Sequence, residues 1–308
     1  MFSKKLLIPL LSLSLLVTPA YSSHAAENAE AAGTSVEGQG MLSPSSSSES
    51  SESVFNGSGA GTSSEPVTDE KLETILKQVQ SQLPAENGTW AVFISDLVNG
   101  TEGSLNDQKM QAASLIKLYI MGAVYENYDQ ITGQYGRDSV DSNLYSMITV
   151  SDNDAANTLT TYLGGGYSPA GMHAFNSFCQ AHGYDQTHMG RMLLASNEND
   201  DNYTSVGDCG HLLQEIYKQD TSGYTHAADM FNLLKAQTRC NKIPAQLPEG
   251  VKTANKTGEL DNVENDAGII YDSKNDVVIV FMSQNLSSAG SAQNTIATLS
   301  RTIYDYYN

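Results

Sequence analysis

Basic residues are scarce in this sequence of 308 residues, in which Lys and Arg together number 16 and Asp and Glu number 35. The formal net charge at pH 7 is therefore -19. Nucleic acids and anionic membrane surfaces repel a protein of this charge, so we expect neither as a partner. The charge indicates solubility and points to no particular substrate.

Long apolar runs are missing beyond the amino terminus, which argues against a membrane-spanning helix there. One apolar run covers residues 6–17, and these roughly a dozen residues are too few to cross a bilayer comfortably. Lys4 and Lys5 precede the run, and small residues follow it up to Ala25. This order is typical of a signal peptide, so we predict that residues 1–25 direct secretion and are removed. An uncleaved anchor is the alternative.

A long segment after the signal has almost no apolar content. No Lys or Arg occurs between Leu6 and Glu70, and residues 26–65 are rich in Ser, Glu, Ala and Gly. Such a segment buries too little apolar surface to offset the entropy lost on folding. We predict a disordered spacer over residues 26–65 and one folded domain over residues 66–308. The roughly 240 residues of the domain suffice for one sizeable core, and we expect a monomer.

The cysteines and histidines form no metal-binding pattern. The spacing of Cys179, Cys209 and Cys240 matches no zinc motif, and none of the six histidines lies in H-E-x-x-H. We therefore expect neither a metal nor another cofactor. Export permits a disulfide. Cys209 and Cys240 are the pair that we favour, with Cys179 a small core residue, although the sequence alone does not give the connectivity.

Hydrophobic periodicity predicts a helix, two strands, a long helical block, three strands and a final helix. The first helix follows Thr68, a suitable N-cap, and the helical block covers residues 114–234. The predicted strands cover residues 90–97, 103–105, 251–258, 267–271 and 277–282. Strands at both ends of the chain predict an α+β fold: a five-stranded antiparallel sheet covered by terminal helices, with an inserted all-helical subdomain. We expect a ligand cleft between the sheet and the helical subdomain.

Ser114 and Lys117 form an S-x-x-K sequence where the helical block begins. Residues three apart lie on one face of a helix, so the hydroxyl and the amine can meet. A serine hydroxyl needs a base to become nucleophilic, and a lysine serves if burial or nearby positive charge lowers its pKa. Alone, the motif is more often a helix start with a surface lysine.

Ser151, Asp152 and Asn153 form an S-D-N sequence within the helical block. A second hydroxyl could relay a proton to a leaving nitrogen, and the amide of Asn153 could bind a substrate carbonyl. The alternative is a helix cap, since these residue types are common there.

Lys256, Thr257 and Gly258 form a K-T-G sequence on a predicted strand. A cation beside a hydroxyl can hold a substrate carboxylate, and a glycine lets a ligand approach the backbone closely. The backbone N–H of Glu259 could join that of Ser114 in an oxyanion hole. The alternative is an exposed strand lysine before a turn.

The three motifs together are far more specific than each one alone. In this order they are the signature of class A β-lactamases and penicillin-binding proteins. Residues 67–308 resemble a class A β-lactamase-related serine hydrolase, including the stretches 148–157 and 256–271. The resemblance implies a β-lactamase/transpeptidase-like fold and a substrate that is a β-lactam or a D-alanyl peptide of the cell wall. It also implies a role for each motif residue: Ser114 as acylated nucleophile, Lys117 as base, Ser151 as proton shuttle, and Asn153, Lys256 and Thr257 as substrate contacts.

One position departs from the family pattern. The family has a loop with an arginine, a glutamate two residues later and an asparagine four residues after that. Arg191 and Asn197 fit this spacing, but the glutamate position is Leu193, and Glu198 has the wrong offset. That glutamate activates the water that releases the acyl group, and a positioned base is worth roughly 10²- to 10⁴-fold in rate. We therefore predict acylation without efficient turnover. The alternatives are a functional β-lactamase in which another group or a water network replaces the glutamate, and a binding or sensing module.

Overall fold

The computed structural model describes residues 69–308. The predicted signal peptide and the predicted spacer lie outside these residues. The first helix is capped by Asp69, whose side chain accepts from the backbone N–H of Lys71, and not by Thr68 as expected. The α-helices of the described part are α1 (Glu70–Gln82), α2 (Ile116–Glu126), α3 (Tyr128–Tyr135), α4 (Arg137–Thr149), α5 (Asn153–Leu163), α6 (Ser168–Ala181), α7 (Val206–Tyr217), α8 (Ala227–Lys235) and α9 (Ala289–Tyr307). Its strands are β1 (Thr89–Asp96), β2 (Thr101–Leu105), β3 (Met110–Gln111), β4 (His188–Met189), β5 (Asn202–Thr204), β6 (Lys252–Leu260), β7 (Val263–Tyr271) and β8 (Val277–Gln284).

The main sheet joins strands from both ends of the described chain. Its strand order is β2-β1-β8-β7-β6, and each neighbouring pair is antiparallel. In the register of the sheet Phe93 is opposite Val280, and Gly258 is opposite Asn265. The predicted α+β architecture with a five-stranded antiparallel sheet is thereby confirmed.

Alternate residues of a strand point to opposite faces of the sheet, and each face of this sheet packs against a hydrophobic core. Val92 and Ile94 of β1 belong to a core shared with α1 and α9, to which Ile75 and Ile296 contribute. Phe93 faces the other way, into a larger core shared with the helices between β3 and β6. The terminal helices therefore cover one face and the helical insertion covers the other.

Helix α2 runs through the middle of the helical insertion. The residues of α2 are buried from Ile116 to Tyr125, and Lys117 is among them. A helix that is apolar all round is a core helix, so its position is fixed by packing on every side. A lysine at such a place has no direct access to bulk water.

Two features differ from the expectations. A small second sheet, β3-β5-β4, interrupts the predicted helical block, and its strands of two or three residues are too short to show periodicity. The expected Cys209–Cys240 disulfide is wrong, because all three cysteines are free thiols. Cys209 is buried beneath the hydroxyl of Tyr119, whereas Cys240 is exposed; Cys179 is a core residue as expected. Between residues 69 and 308, no helix has the length and hydropathy of a membrane span.

Candidate active site

A strained turn presents Ser114 at the head of α2. Strand β3 ends at Gln111, and residues Ala113–Leu115 form a single 3₁₀ turn before α2. Ala113 has φ 46°, a left-handed conformation that costs a residue other than glycine about 1–3 kcal/mol. Such backbone strain persists only where neighbouring groups hold it, and it is concentrated at functional sites.

Lys117 meets Ser114 as the S-x-x-K spacing predicts. Its Nζ lies 3.1 Å from Oγ of Ser114 and 3.1 Å from Oγ of Ser151. It also donates to the carbonyl oxygen of Ser151 at 2.6 Å and to Oδ1 of Asn153 at 2.7 Å. The pKa of Lys117 is lowered to about 8, chiefly by burial and to a smaller extent by the charge of Arg239, while the charge of Asp152 opposes this shift. Roughly a tenth of the amine is therefore neutral at pH 7 and able to take the Ser114 proton.

In the S-D-N sequence, Asp152 caps a helix, whereas Ser151 and Asn153 contact Lys117. Asp152 caps α5 by accepting from the backbone N–H of Ala155 at 2.7 Å. The helix-cap alternative is thus correct for Asp152 alone. Ser151 has φ 62°, and both Ser151 and Asn153 turn their side chains towards Lys117.

Lys256 lies on β6 of the main sheet and also contacts the hydroxyl of Ser151. Its Nζ lies 2.9 Å from Oγ of Ser151 and 2.7 Å from the carbonyl oxygen of Thr257. The Lys256 side chain is fully buried, and Thr257 is 1% exposed. Burial, together with the charges of Lys117 and Arg239, holds the pKa of Lys256 well below its ordinary value. The alternative of an exposed strand lysine is therefore wrong.

Gly258 lets β6 pack against the Ser114 turn, which is formed by residues 112–115. A Cβ there would lie 3.0 Å from the carbonyl oxygen of Ala112 and 3.2 Å from the backbone nitrogen of Ser114. The space that we expected for a ligand is therefore occupied by the turn. The next residue, Glu259, lines the pocket that contains Ser114, and its carboxylate pairs with Arg239 at 2.8 Å and Lys242 at 3.0 Å.

The loop of residues 190–201 forms the opposite wall of this pocket, whose volume is about 250 Å³. Nε of Arg191 donates to Oδ1 of Asp201 at 2.7 Å, which joins the two ends of the loop. Leu193 lines the pocket and is 9% exposed. Its backbone N–H and carbonyl oxygen bond to the side-chain amide of Asn157 at 2.8 and 3.0 Å. The leucine is therefore held in the pocket wall, where the family pattern has glutamate.

A larger cavity of about 470 Å³ lies in the helical insertion, with Tyr125 and Tyr128 in its lining. It contains none of the motif residues. The smaller pocket contains Ser114, which is in contact with Lys117, and is therefore the candidate site.

Sequence reasoning missed several residues that shape the site. Arg239 and Lys242 form ion pairs with Glu259. Asp201 holds the loop of residues 190–201 through Arg191, and Asn265 binds the backbone just before Ser114. None belongs to one of the three motifs, and each acts on a partner at least ten positions away. Lys242 also pairs with buried Glu264 at 2.6 Å. No local sequence pattern marks such contacts.

Comparison with known proteins agrees with the motifs. The profile of the β-lactamase enzyme family matches residues 71–138 and 134–307. No curated protein sequence matches the chain. Among solved structures, a β-lactamase from Sphaerobacter thermophilus DSM 20745 superposes with TM-score 0.63 and 21% identity over 76% of this chain and 96% of that one. A protein named PBP-A gives TM-score 0.66 and 22% identity over 76% of this chain and 96% of that one.

A further structure is a leucine-to-glutamate variant of PBP-A in an acyl-enzyme complex with penicillin G, with TM-score 0.65 and 23% identity over 76% of this chain and 96% of that chain. At these identities the superpositions establish the fold alone. The family profile covers more than half of the sequence. The chain therefore belongs to the β-lactamase enzyme family.

Proposed function

We propose that the protein is an exported serine hydrolase that β-lactams or D-alanyl peptides acylate at Ser114 and that releases the acyl group slowly. One observation carries the proposal: the buried amine of Lys117 lies 3.1 Å from Oγ of Ser114. An amine with a lowered pKa can act as a base, and a base in hydrogen-bond contact with a serine hydroxyl activates it as a nucleophile.

The proposed acylation begins with transfer of the Ser114 proton to neutral Lys117. Oγ of Ser114 then attacks the substrate carbonyl, and the backbone N–H groups of Ser114 and Glu259 stabilise the oxyanion. The C–N bond breaks as Ser151 passes its proton to the leaving nitrogen and is reprotonated by Lys117. Ser151 suits this relay because it lies within 3.1 Å of Nζ of Lys117.

Substrate binding in this proposal uses the remaining motif residues. Lys256 and Thr257 hold the substrate carboxylate, and the amide of Asn153 binds a carbonyl of the acyl group. Lys256 is tethered to Ser151 at 2.9 Å, so the carboxylate is bound next to the proton relay. Because burial lowers the pKa of Lys256, a bound carboxylate is expected to favour its charged form, since an opposite charge nearby raises the pKa of an amine.

Slow release of the acyl group is expected because the pocket lining lacks a suitable base. Leu193 has no group that could activate a water molecule. Burial acts to raise the pKa of Asp201, but its hydrogen bonds from Gln111 and Asn202 and the charge of Arg191 hold it below its ordinary value. Burial acts likewise on Glu259, but Lys242 and Arg239 hold its pKa low. Both carboxylates lining the pocket are therefore weak bases that are already paired.

Intact-protein mass spectrometry tests the proposal. After exposure to penicillin G, wild-type protein is expected to gain the mass of one penicillin and to keep it, whereas Ser114→Ala gains none. A wild-type protein without an adduct, or an adduct that persists in Ser114→Ala, would refute acylation at this serine. Rapid hydrolysis of a chromogenic cephalosporin would instead support the β-lactamase alternative. A mature chain that begins at Ala26 would support export.

A further inference from the structure

Asn265 is fully buried and contacts the start of the Ser114 turn. It lies on β7, and its Nδ2 donates to the carbonyl oxygens of Gln111 at 2.9 Å and Ala112 at 3.2 Å. Its Oδ1 accepts from the backbone N–H of Ser283 at 3.0 Å. The amide therefore links the central strands of the sheet to the segment that precedes Ser114.

The contact with Ala112 falls where the backbone is strained. The peptide unit that carries the Ala112 carbonyl also carries the N–H of Ala113, and it is planar. Holding this unit fixes one end of the φ torsion of Ala113, which is 46°, and so restricts the directions open to the next N–H, which belongs to Ser114. The same carbonyl accepts from the N–H of Leu115 at 3.0 Å, so two donors hold it.

Gly258 makes the contact sterically feasible. It is the residue directly opposite Asn265 in the sheet, and opposite residues of an antiparallel pair present their side chains on the same face. A Cβ on Gly258 would come within 3.0 Å of the Ala112 carbonyl oxygen that Asn265 binds. The glycine and the asparagine thus act on one carbonyl, the first by leaving space and the second by donating a hydrogen bond.

We propose that Asn265 is a positioning residue for the oxyanion hole: its amide holds the strained turn so that the backbone N–H of Ser114 points at the substrate carbonyl oxygen. The inference rests on the proposed function, because an oxyanion forms only when Ser114 is acylated. Asn265 reaches the reaction through the turn and does not touch the substrate.

The test separates binding from acylation with a fluorescent penicillin in stopped-flow measurements. Asn265→Leu keeps the approximate shape of the side chain and removes its hydrogen bonds. We expect the acylation rate constant to fall roughly ten- to a hundredfold, less than when an oxyanion donor is lost altogether. The dissociation constant of the non-covalent complex is expected to change little, because Lys256 and Asn153 still hold the substrate.

Two further variants make the test independent of stability. Asn265→Asp keeps the volume and the acceptor for Ser283 but loses the amide donors, and it is expected to slow acylation in the same way. Ser283→Ala is the matched control, because it removes a buried hydrogen bond to the Glu264 carbonyl at 2.6 Å without contacting the turn. It is expected to lower the melting temperature and to leave the acylation rate constant unchanged.

The possible failures are distinguishable. A wild-type protein that is never acylated would refute the proposed function. Normal acylation by wild type together with wild-type rate constants in both Asn265 variants would overturn the role of Asn265 alone. An equal loss of acylation rate in Ser283→Ala would also overturn it, because general destabilisation of the sheet would then explain the effect.

Discussion

Lys117 and Lys256 donate to one common acceptor, Oγ of Ser151, at 3.1 and 2.9 Å. The two lysines come from different elements, Lys117 from α2 and Lys256 from β6. Burial of two neighbouring ammonium groups disfavours the charged forms, which is why the pKa of each is lowered. In the proposed mechanism the shared serine connects the base for Ser114 with the amine that binds the substrate carboxylate.

Acylation should depend on pH through Lys117. The neutral amine is the active form, so the second-order acylation rate is expected to rise as pH increases through about 8. Arg239 contributes to lowering this pKa, so Arg239→Gln should move the rising limb to higher pH. Acylation by a fluorescent penicillin across the pH range measures both effects. Arg301→Gln, a variant of a half-exposed arginine on α9, is the control, and a profile independent of pH would contradict a lysine base.

The ion pair between Arg191 and Asp201 should stabilise the loop of residues 190–201. Its side chains are 15% and 6% exposed, so Arg191→Met leaves a buried carboxylate without its cation. We expect a loss of roughly 3 kcal/mol in the free energy of unfolding at neutral pH. Lys252→Met removes an exposed pair with Asp272 and should change stability little.

The loss in Arg191→Met should also depend on pH. The pKa of Asp201 is depressed in the folded protein, so its contribution is present above the unfolded pKa and disappears as pH falls through the folded pKa. Urea unfolding at a series of acid pH values measures this change. If the free energies of unfolding of wild type and Arg191→Met differ by the same amount down to strongly acid pH, the ion pair between Arg191 and Asp201 is not the cause of the difference.

Asp266 should make the protein less stable as pH rises. Burial raises the pKa of this fully buried carboxyl from 3.8 to about 6, despite hydrogen bonds from Asn255 and the backbone of Ile243. The native state binds the proton more tightly than the unfolded state. The free energy of unfolding therefore falls, by up to about 3 kcal/mol, as the pH rises from 3.8 to about 6. Asp266→Asn should remove this slope in urea unfolding. A variant with the same slope as wild type would show that other groups cause it.

Local patterns in the sequence account for much of the fold and of the candidate site. Apolar runs bounded by turn residues located the five strands of the main sheet. Three short motifs located Ser114, Lys117 and Lys256, because each motif is contiguous in the chain. The small sheet was missed because its strands are too short for any period. Asn265 and Arg239 were missed because their partners lie far along the chain, and only tertiary packing brings them together.

Leu193→Glu should restore release of the acyl group. Asn157 holds the backbone of residue 193 on both sides, so a glutamate there would keep its position in the pocket wall. A carboxylate at that place can activate a water for attack on the ester of Ser114. We expect the penicillin adduct to be lost roughly 10²-fold faster than from wild type, the lower range for a positioned general base. The decay of the adduct mass after removal of free penicillin measures this rate.

Leu194→Glu is the matched control, because it adds the same charge to the same loop one residue away. Leu194 lines the same pocket but is 74% exposed, so a carboxylate there is mostly in solvent and has no fixed place beside the ester. If both variants release the adduct equally fast, added negative charge near the pocket is sufficient and no positioned base is needed. If neither does, the slow release predicted for wild type has a cause other than Leu193. Faster release from Leu193→Glu alone would establish that the absence of one carboxylate limits turnover on this scaffold.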